Sequence, residues 1–239
     1  TQSEADELGI GKFYDEERKK ILVGGSGSKK IRLARNTETG EILIVGKSII
    51  FNNEVKEAFE REVENHLSLN QTSVLKLEDH AIFEIDDDIQ KGYTFMSLGK
   101  ECGDKTILRL KELPHGEKIK QTSQLSIDLI KGVSEFEMKG FIHGDIKPQN
   151  FVISNKNTGH LIDFGTGLNK DAIKLDSPMD VSNIPNTPKY LAPDLHESET
   201  ELFSQTNSLT KKDAWALGIT LYELWTGNTP FNLDTVSLK

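Results

Sequence analysis

Residues 141–165 read F-I-H-G-D-I-K-P-Q-N-F-V-I-S-N-K-N-T-G-H-L-I-D-F-G, and they constrain the chain more than any other stretch. Two turns bearing acidic and amide groups are separated by apolar runs at 151–153 and 160–162, which read as a short strand and its partner. Asp145 is followed by Lys147 two residues on and by Asn150 five residues on. Asp163 stands 18 residues after Asp145, directly before Phe164 and Gly165. Spacing of this kind suits phosphoryl transfer, in which one carboxylate accepts a hydroxyl proton and a lysine neutralises the migrating phosphate. An amide and a second carboxylate would then hold magnesium on ATP.

H-G-D-I-K-P-Q-N followed by D-F-G resembles the catalytic loop and the magnesium loop of eukaryotic protein kinases. Lys147, two residues after Asp145, is the serine/threonine form of that loop. The resemblance extends over roughly residues 20–231 and five ordered motifs. It implies an α+β, two-lobed fold: a small antiparallel β lobe with one helix over 13–98, and a larger, mainly helical lobe over 99–239, after a lead-in at 1–12. The large lobe is expected to be incomplete, because that fold normally continues for several more helices. The implied reaction moves the γ-phosphate of ATP to a serine or threonine hydroxyl of a protein, with Asp145 as base, Lys147 beside it, and Asn150 and Asp163 holding Mg2+.

Ahead of this stretch, residues 21–23 and 31–34 read as strands flanking G-G-S-G-S, where glycines let backbone amides approach a phosphate. Two registers of a kinase glycine-rich loop remain open. One uses Gly25 and Gly27 with Lys30 in the third place, the other Gly24, Ser26 and Lys29; a plain hairpin turn fits as well. A turn at 37–41 leads to a third strand over 42–45 ending at Gly46-Lys47. A helix follows over 53–67, capped by Asn52 or Asn53, with Val55, Ala58, Phe59, Val63 and Leu67 on one arc. Glu62 projects into that arc, and a carboxylate facing a core requires a cationic partner; Lys47 is the one available. His66 reads as a packed core histidine. By resemblance, Lys47 pairs with Glu62 and with the α- and β-phosphates.

Strands are expected over 80–85 and 93–98, joined by an acidic turn, and the polar, glycine-bearing G-K-E-C-G-D after Leu98 marks the lobe boundary. An ordinary linker would look the same. By resemblance it is the hinge that clamps adenine near Ser97 and Gly99, with Met96 guarding the rear pocket and Gly24, Gly25, Gly27, Ile31 and Val152 also lining the nucleotide. An amphipathic helix over 119–139 should bury Ile119, Leu125, Ile127, Leu129, Ile130, Val133, Phe136 and Met138 and stop at Gly140. Residues 165–186 lack periodicity and read as a mobile loop that ends in N-T-P-K-Y-L-A-P-D. That ending is similar to the kinase substrate-docking loop, with Asp194 where Glu is usual and Thr187 implied to hydrogen-bond toward Asp145 and Lys147. Residues 195–210 read as a polar loop. K-K-D-A-W-A-L-G-I-T-L-Y-E-L-W-T-G is apolar nearly all round and reads as a buried helix, with Asp213 implied to tie back to the catalytic loop. Gly144 stands where many kinases have an arginine, and Gln149 where kinases preferring basic targets often carry Glu.

Other classes fit less well. A formal net charge of -9 from 29 basic and 38 acidic residues, with no basic stripe, argues against nucleic acid as a partner. One cysteine, Cys102, allows no internal disulfide and points to the cytosol or nucleus, and no apolar run reaches membrane-spanning length. H-G-D with Asn five residues after the Asp also occurs in small-molecule phosphotransferases, but Lys147, T-P-K-Y-L-A-P-D and D-A-W-A-L-G favour the protein kinase. The remaining alternative is a pseudokinase scaffold, supported by the irregular glycine loop and Gly46 and opposed by a full complement of catalytic residues. No feature sets an oligomeric state.

Overall fold

The computed structural model describes residues 13–14, 30–69, 73–86, 89–170, 187–192 and 206–231. The expected strand at 21–23, the glycine-rich loop with Gly24, Gly25 and Gly27, residues 171–186 and Asp194 lie outside them. The chain divides into two units, 1–67 with 75–98 and 68–74 with 99–239. Among the described residues no helix is long and apolar enough to cross a membrane.

In the first unit the described strands are β1 (Phe13–Tyr14), β2 (Lys30–Asn36), β3 (Ile42–Ile50), β4 (Leu77–Asp86) and β5 (Ile89–Ser97). They form an antiparallel sheet in the order β1-β2-β3-β5-β4. Asn36 closes the β2–β3 turn by accepting the N–H groups of Glu38 and Thr39 on its side-chain oxygen. Alternating side chains of β3 then bury Leu43 and Val45 with Ala34 and Phe95.

Four strands, β2 to β5, run longer than expected, and the acidic turn shrinks accordingly. Ile89 to Gly92 are paired in β5, where Gly92 stands opposite Ile82. A methyl group at position 92 would fall 2.7 Å from a ring carbon of Phe59. The glycine is there because an aromatic ring lies on the strand, which sequence patterning reads as a turn.

Helix α1 (Asn53–Ser68) starts from Asn52, whose side-chain oxygen accepts the Val55 N–H at 2.8 Å. It buries Phe59, Val63, Asn65 and His66, and His66 donates from Nε2 to the Leu75 carbonyl at 2.5 Å. Ala58 and Leu67, expected on the buried arc, are exposed. The arc centres on Phe59 and His66, so at 100° per residue Leu67 and Ala58 fall roughly 80–100° to either side.

The second unit holds α2 (Gly103–Lys111), α3 (His115–Met138) and α4 (Thr206–Thr226). Its short strands are β6 (Glu101–Cys102), β7 (Phe141–Ile142), β8 (Phe151–Ile153), β9 (Gly159–Leu161) and β10 (Leu168–Asn169), with β6 and β9 flanking β8 and β10 paired to β7. Leu125, Leu129, Val133 and Phe136 of α3 pack with Ile107, Leu110, Ile146, Phe151, Leu161, Phe164, Ile219 and Leu224. Burial of each such side chain favours folding by about 1.5–3 kcal/mol.

Two helical expectations are corrected here. Ile119, Ile127, Ile130 and Met138 are exposed, Met138 by 80%. The buried face of α3 instead steps through Thr122, Leu125, Leu129, Gly132, Val133 and Phe136, and the four exposed residues project outside it. Helix α4 is one-sided rather than buried all round, since Tyr222 and Trp225 are exposed while Asp213 and Glu223 are buried. It also begins at Thr206, within the expected polar loop. Helix α2 was not expected; it is short, yet it buries Thr106, Ile107 and Leu110 and is tied by Arg109 to Glu101 and Gln121.

Candidate functional site

The turn after β7 is held from below by α4. Asp213 accepts the backbone N–H of His143 at 2.6 Å on one carboxylate oxygen and that of Gly144 at 2.9 Å on the other. Gly144 has φ 81, the left-handed region that a side chain enters only with strain, so the residue at this position suits the turn. Burial pushes the Asp213 carboxyl above its usual range, while His143, the two amides and Lys212 pull the other way. Burial also lowers the Lys212 ammonium, against the attraction of Asp213 and Asp145.

His143 is completely buried between the rings of Phe136 and Phe164. Its Nε2–H donates to the Ile162 carbonyl at 3.1 Å, and its Nδ1 lies 3.4 Å from the Asp145 N–H. One imidazole therefore joins the backbone beside Asp145 to the backbone beside Asp163.

Asp145 is the point on which the site converges. Lys147 Nζ lies 2.6 Å from Oδ2, and the Asn150 amide donates to the same oxygen at 3.0 Å and to the Asp145 carbonyl at 2.7 Å. The Thr187 hydroxyl donates to Oδ1 at 2.9 Å and accepts from Lys147 Nζ at 3.0 Å. A carboxylate with donors on both oxygens is fixed in orientation, as a proton acceptor must be. Lys147 and Asp145 are only 21% and 10% exposed at the side chain, so the pair is sheltered from solvent screening.

The Asn150 amide nitrogen is turned inward to Asp145, which leaves its side-chain oxygen as the atom suited to a cation. Asp163 is exposed and sits at φ 67, ψ 70, a left-handed conformation that Asp tolerates better than most residues. Phe164, 1% exposed, anchors the turn that follows, and the Ile162 N–H donates to the Asn150 carbonyl at 2.9 Å. The donor set fits Mg2+, a hard cation that takes oxygens and is usually bound by one or two protein ligands plus phosphates and water. Among the described residues no group of three or more His, Cys, Asp or Glu could hold a metal by itself.

In the first unit, Lys47 is half-buried on β3, with Nζ 5.8 Å from the centroid of the Tyr93 ring, and Glu62 is half-buried on α1. Ile31 lies opposite Gly46 on β2. The Ser97 N–H donates to the Lys76 carbonyl, and its hydroxyl donates to Glu78 at 2.9 Å. In the second unit, Gly99 lies against Val152, whose Cβ would stand 3.0 Å from a methyl at position 99.

Sequence reasoning missed Lys189, Tyr190 and Glu223. Tyr190 donates its hydroxyl to Glu223 at 2.6 Å, and Lys189 forms an ion pair with the same carboxylate. Burial, then the Glu223 carboxylate, raises the Tyr190 phenol well above its usual value, so it remains a donor. The signal was available: Glu223 is a carboxylate inside an apolar helix, and buried charges require partners.

Residues 16–238 match the family model of the protein kinase domain. The serine/threonine-protein kinase TOS3 of Saccharomyces cerevisiae is 25% identical over 229 residues, 89% of this chain and 40% of TOS3. CBL-interacting serine/threonine-protein kinase 8 of Arabidopsis thaliana is 28% identical over 220 residues, 88% of this chain and 44% of that protein. Calcium-dependent protein kinase 4 of Plasmodium falciparum is 29% identical over 234 residues, 92% of this chain and 39% of that protein. The chain thus spans less than half the length of these relatives.

Proposed function

This chain belongs to the protein kinase domain family, and on that premise we propose that it transfers the γ-phosphate of ATP to a serine or threonine hydroxyl of a protein substrate. The observation that carries the reading is the convergence of Lys147, Asn150 and Thr187 on the Asp145 carboxylate. Asp145 takes the proton of the acceptor hydroxyl as its oxygen bonds to the γ-phosphorus and the bond to ADP breaks. Lys147 offsets the negative charge of the transferring group. Asn150 and Asp163 are the residues that would hold Mg2+, which when bound neutralises charge on the β- and γ-phosphates.

In the first unit, Lys47 is assigned to Glu62 and to the α- and β-phosphates, and Gly24, Gly25 and Gly27 to the phosphate-facing loop. Ile31, Ser97, Gly99 and Val152 are assigned to the adenine and ribose. The Ser97 N–H is already bonded to Lys76, so Ser97 would contact adenine through its carbonyl. The cytosol or the nucleus is the proposed compartment.

The test is transfer of labelled γ-phosphate to a mixture of unfolded basic and acidic proteins, comparing the wild type with Asp145→Asn. Loss of a general base lowers the rate by about 10²–10⁴-fold, and circular dichroism should show the fold retained. A wild type that binds ATP and transfers nothing would favour the scaffold reading instead.

A further inference from the structure

Glu223 is a carboxylate that phosphoryl transfer does not use. It sits on α4 with its side chain 8% exposed, and both oxygens are taken by one short segment. Tyr190 donates to Oε2 at 2.6 Å, and Lys189 places Nζ 2.5 Å from Oε1. The same ammonium lies 5.5 Å from the centroid of the Tyr190 ring.

The location gives the pair its significance. Thr187, two residues before Lys189, donates to Asp145. Two residues of extended chain span at most about 7 Å, so Lys189 and Glu223 lie within a few residues' reach of a hydroxyl presented to Asp145. There, a buried carboxylate by itself would draw a cationic side chain, and an unpaired ammonium would draw an acidic one. The chain satisfies each with the other. Glu223 is held by Tyr190 on a helix, whereas the Lys189 side chain is 44% exposed and sits on the docking segment, so Lys189 is the member able to leave.

We infer that Lys189 is a self-supplied occupant of an acidic seat at Glu223, and that the pair steers the protein substrate toward neutral side chains beside the acceptor hydroxyl. A basic peptide must displace Lys189 to use the seat, and an acidic peptide must draw Lys189 away from it. Glu223 by itself would select arginine, and Lys189 by itself would select glutamate or a phosphorylated residue. The assignment rests on the kinase reading, because it requires Asp145 to be where the acceptor arrives.

Three fluorescein-labelled peptides with a single serine, flanked by two arginines, two alanines or two glutamates, test it with the full chain. Binding is read by anisotropy and phosphate incorporation is followed in parallel. Lys189→Met should raise the preference for the arginine peptide over the alanine peptide about tenfold, the low end for a desolvated charge pair at an interface. Lys189→Arg should restore the wild-type ratio. Glu223→Gln, which keeps an acceptor for Tyr190, should shift the preference in the opposite sense, toward the glutamate peptide. Because the two changes predict opposite signs, either folded variant suffices. Ratios within twofold of the wild type overturn the assignment alone. Absence of any peptide binding by all the folded proteins overturns the kinase reading and this one with it.

Discussion

Asp213 shows how one side chain can set the turn before Asp145 from a distant helix. Its two oxygens take the amides of His143 and Gly144, 70 and 69 residues away in sequence. Replacement by Asn keeps one acceptor and leaves one buried N–H without a charged partner, an expected loss of about 1.5–3 kcal/mol in urea unfolding. The pH dependence follows from burial. Because the folded value of Asp213 is raised, its contribution to stability is fully present below the ordinary carboxylate value of about 4 and is lost as pH rises through the folded value. The stability gap between the wild type and Asp213→Asn should therefore narrow as pH rises from about 4; a gap that widens would contradict this. At the same scale, Asp145, Lys147 and Asn150 were legible because their contacts lie within five residues of one another. Lys189 and Glu223 were not, since 34 positions separate the partners of that ion pair.

Helix α3 separates the effect of apolar composition from that of apolar placement. Leu129 is 4% exposed and Ile130, its neighbour, is 42% exposed. Leu129→Ala should cost about 2–5 kcal/mol through lost burial and a residual cavity. Ile130→Ala should stay within about 0.5 kcal/mol. Equal losses in chemical denaturation would mean that both faces are buried in solution. Sequence periodicity located α3 correctly but widened its buried face, because isoleucine and methionine on any side raise apolarity equally. Helix α4 shows the reverse: Asp213 and Glu223 face inward because each finds donors there. Helix α2 was overlooked because nine residues offer few turns in which a period can show.

For the molecule as a whole, nucleotide binding links the proposed chemistry to stability. With Mg2+ and ATP at 100 times the dissociation constant, the folded state should gain about 2.7 kcal/mol. For a chain of this size that is a melting shift of roughly 5–10 °C. Asp163→Asn should keep the fold, since Asp163 is exposed, and lose the magnesium-dependent part of the shift. An undiminished shift in the variant would remove Asp163 from the metal site. The family match covers residues 16–238, and so includes every described residue of both units except Phe13 and Tyr14.

The order and spacing of H-G-D-I-K-P-Q-N, D-F-G and T-P-K-Y-L-A-P-D were enough to identify the family and the candidate acid, amide and lysine groups. That chemistry is written locally, in side chains a few residues apart on tight turns. Tertiary structure alone decided which faces of α1, α3 and α4 are covered, why Gly92 lies inside a strand, and which oxygens of Asp213 and Glu223 are occupied. Each of those outcomes depends on a partner dozens of residues away or on another element. Hydrophobic pattern records that a side chain is apolar, while burial depends on whether another element arrives to cover it.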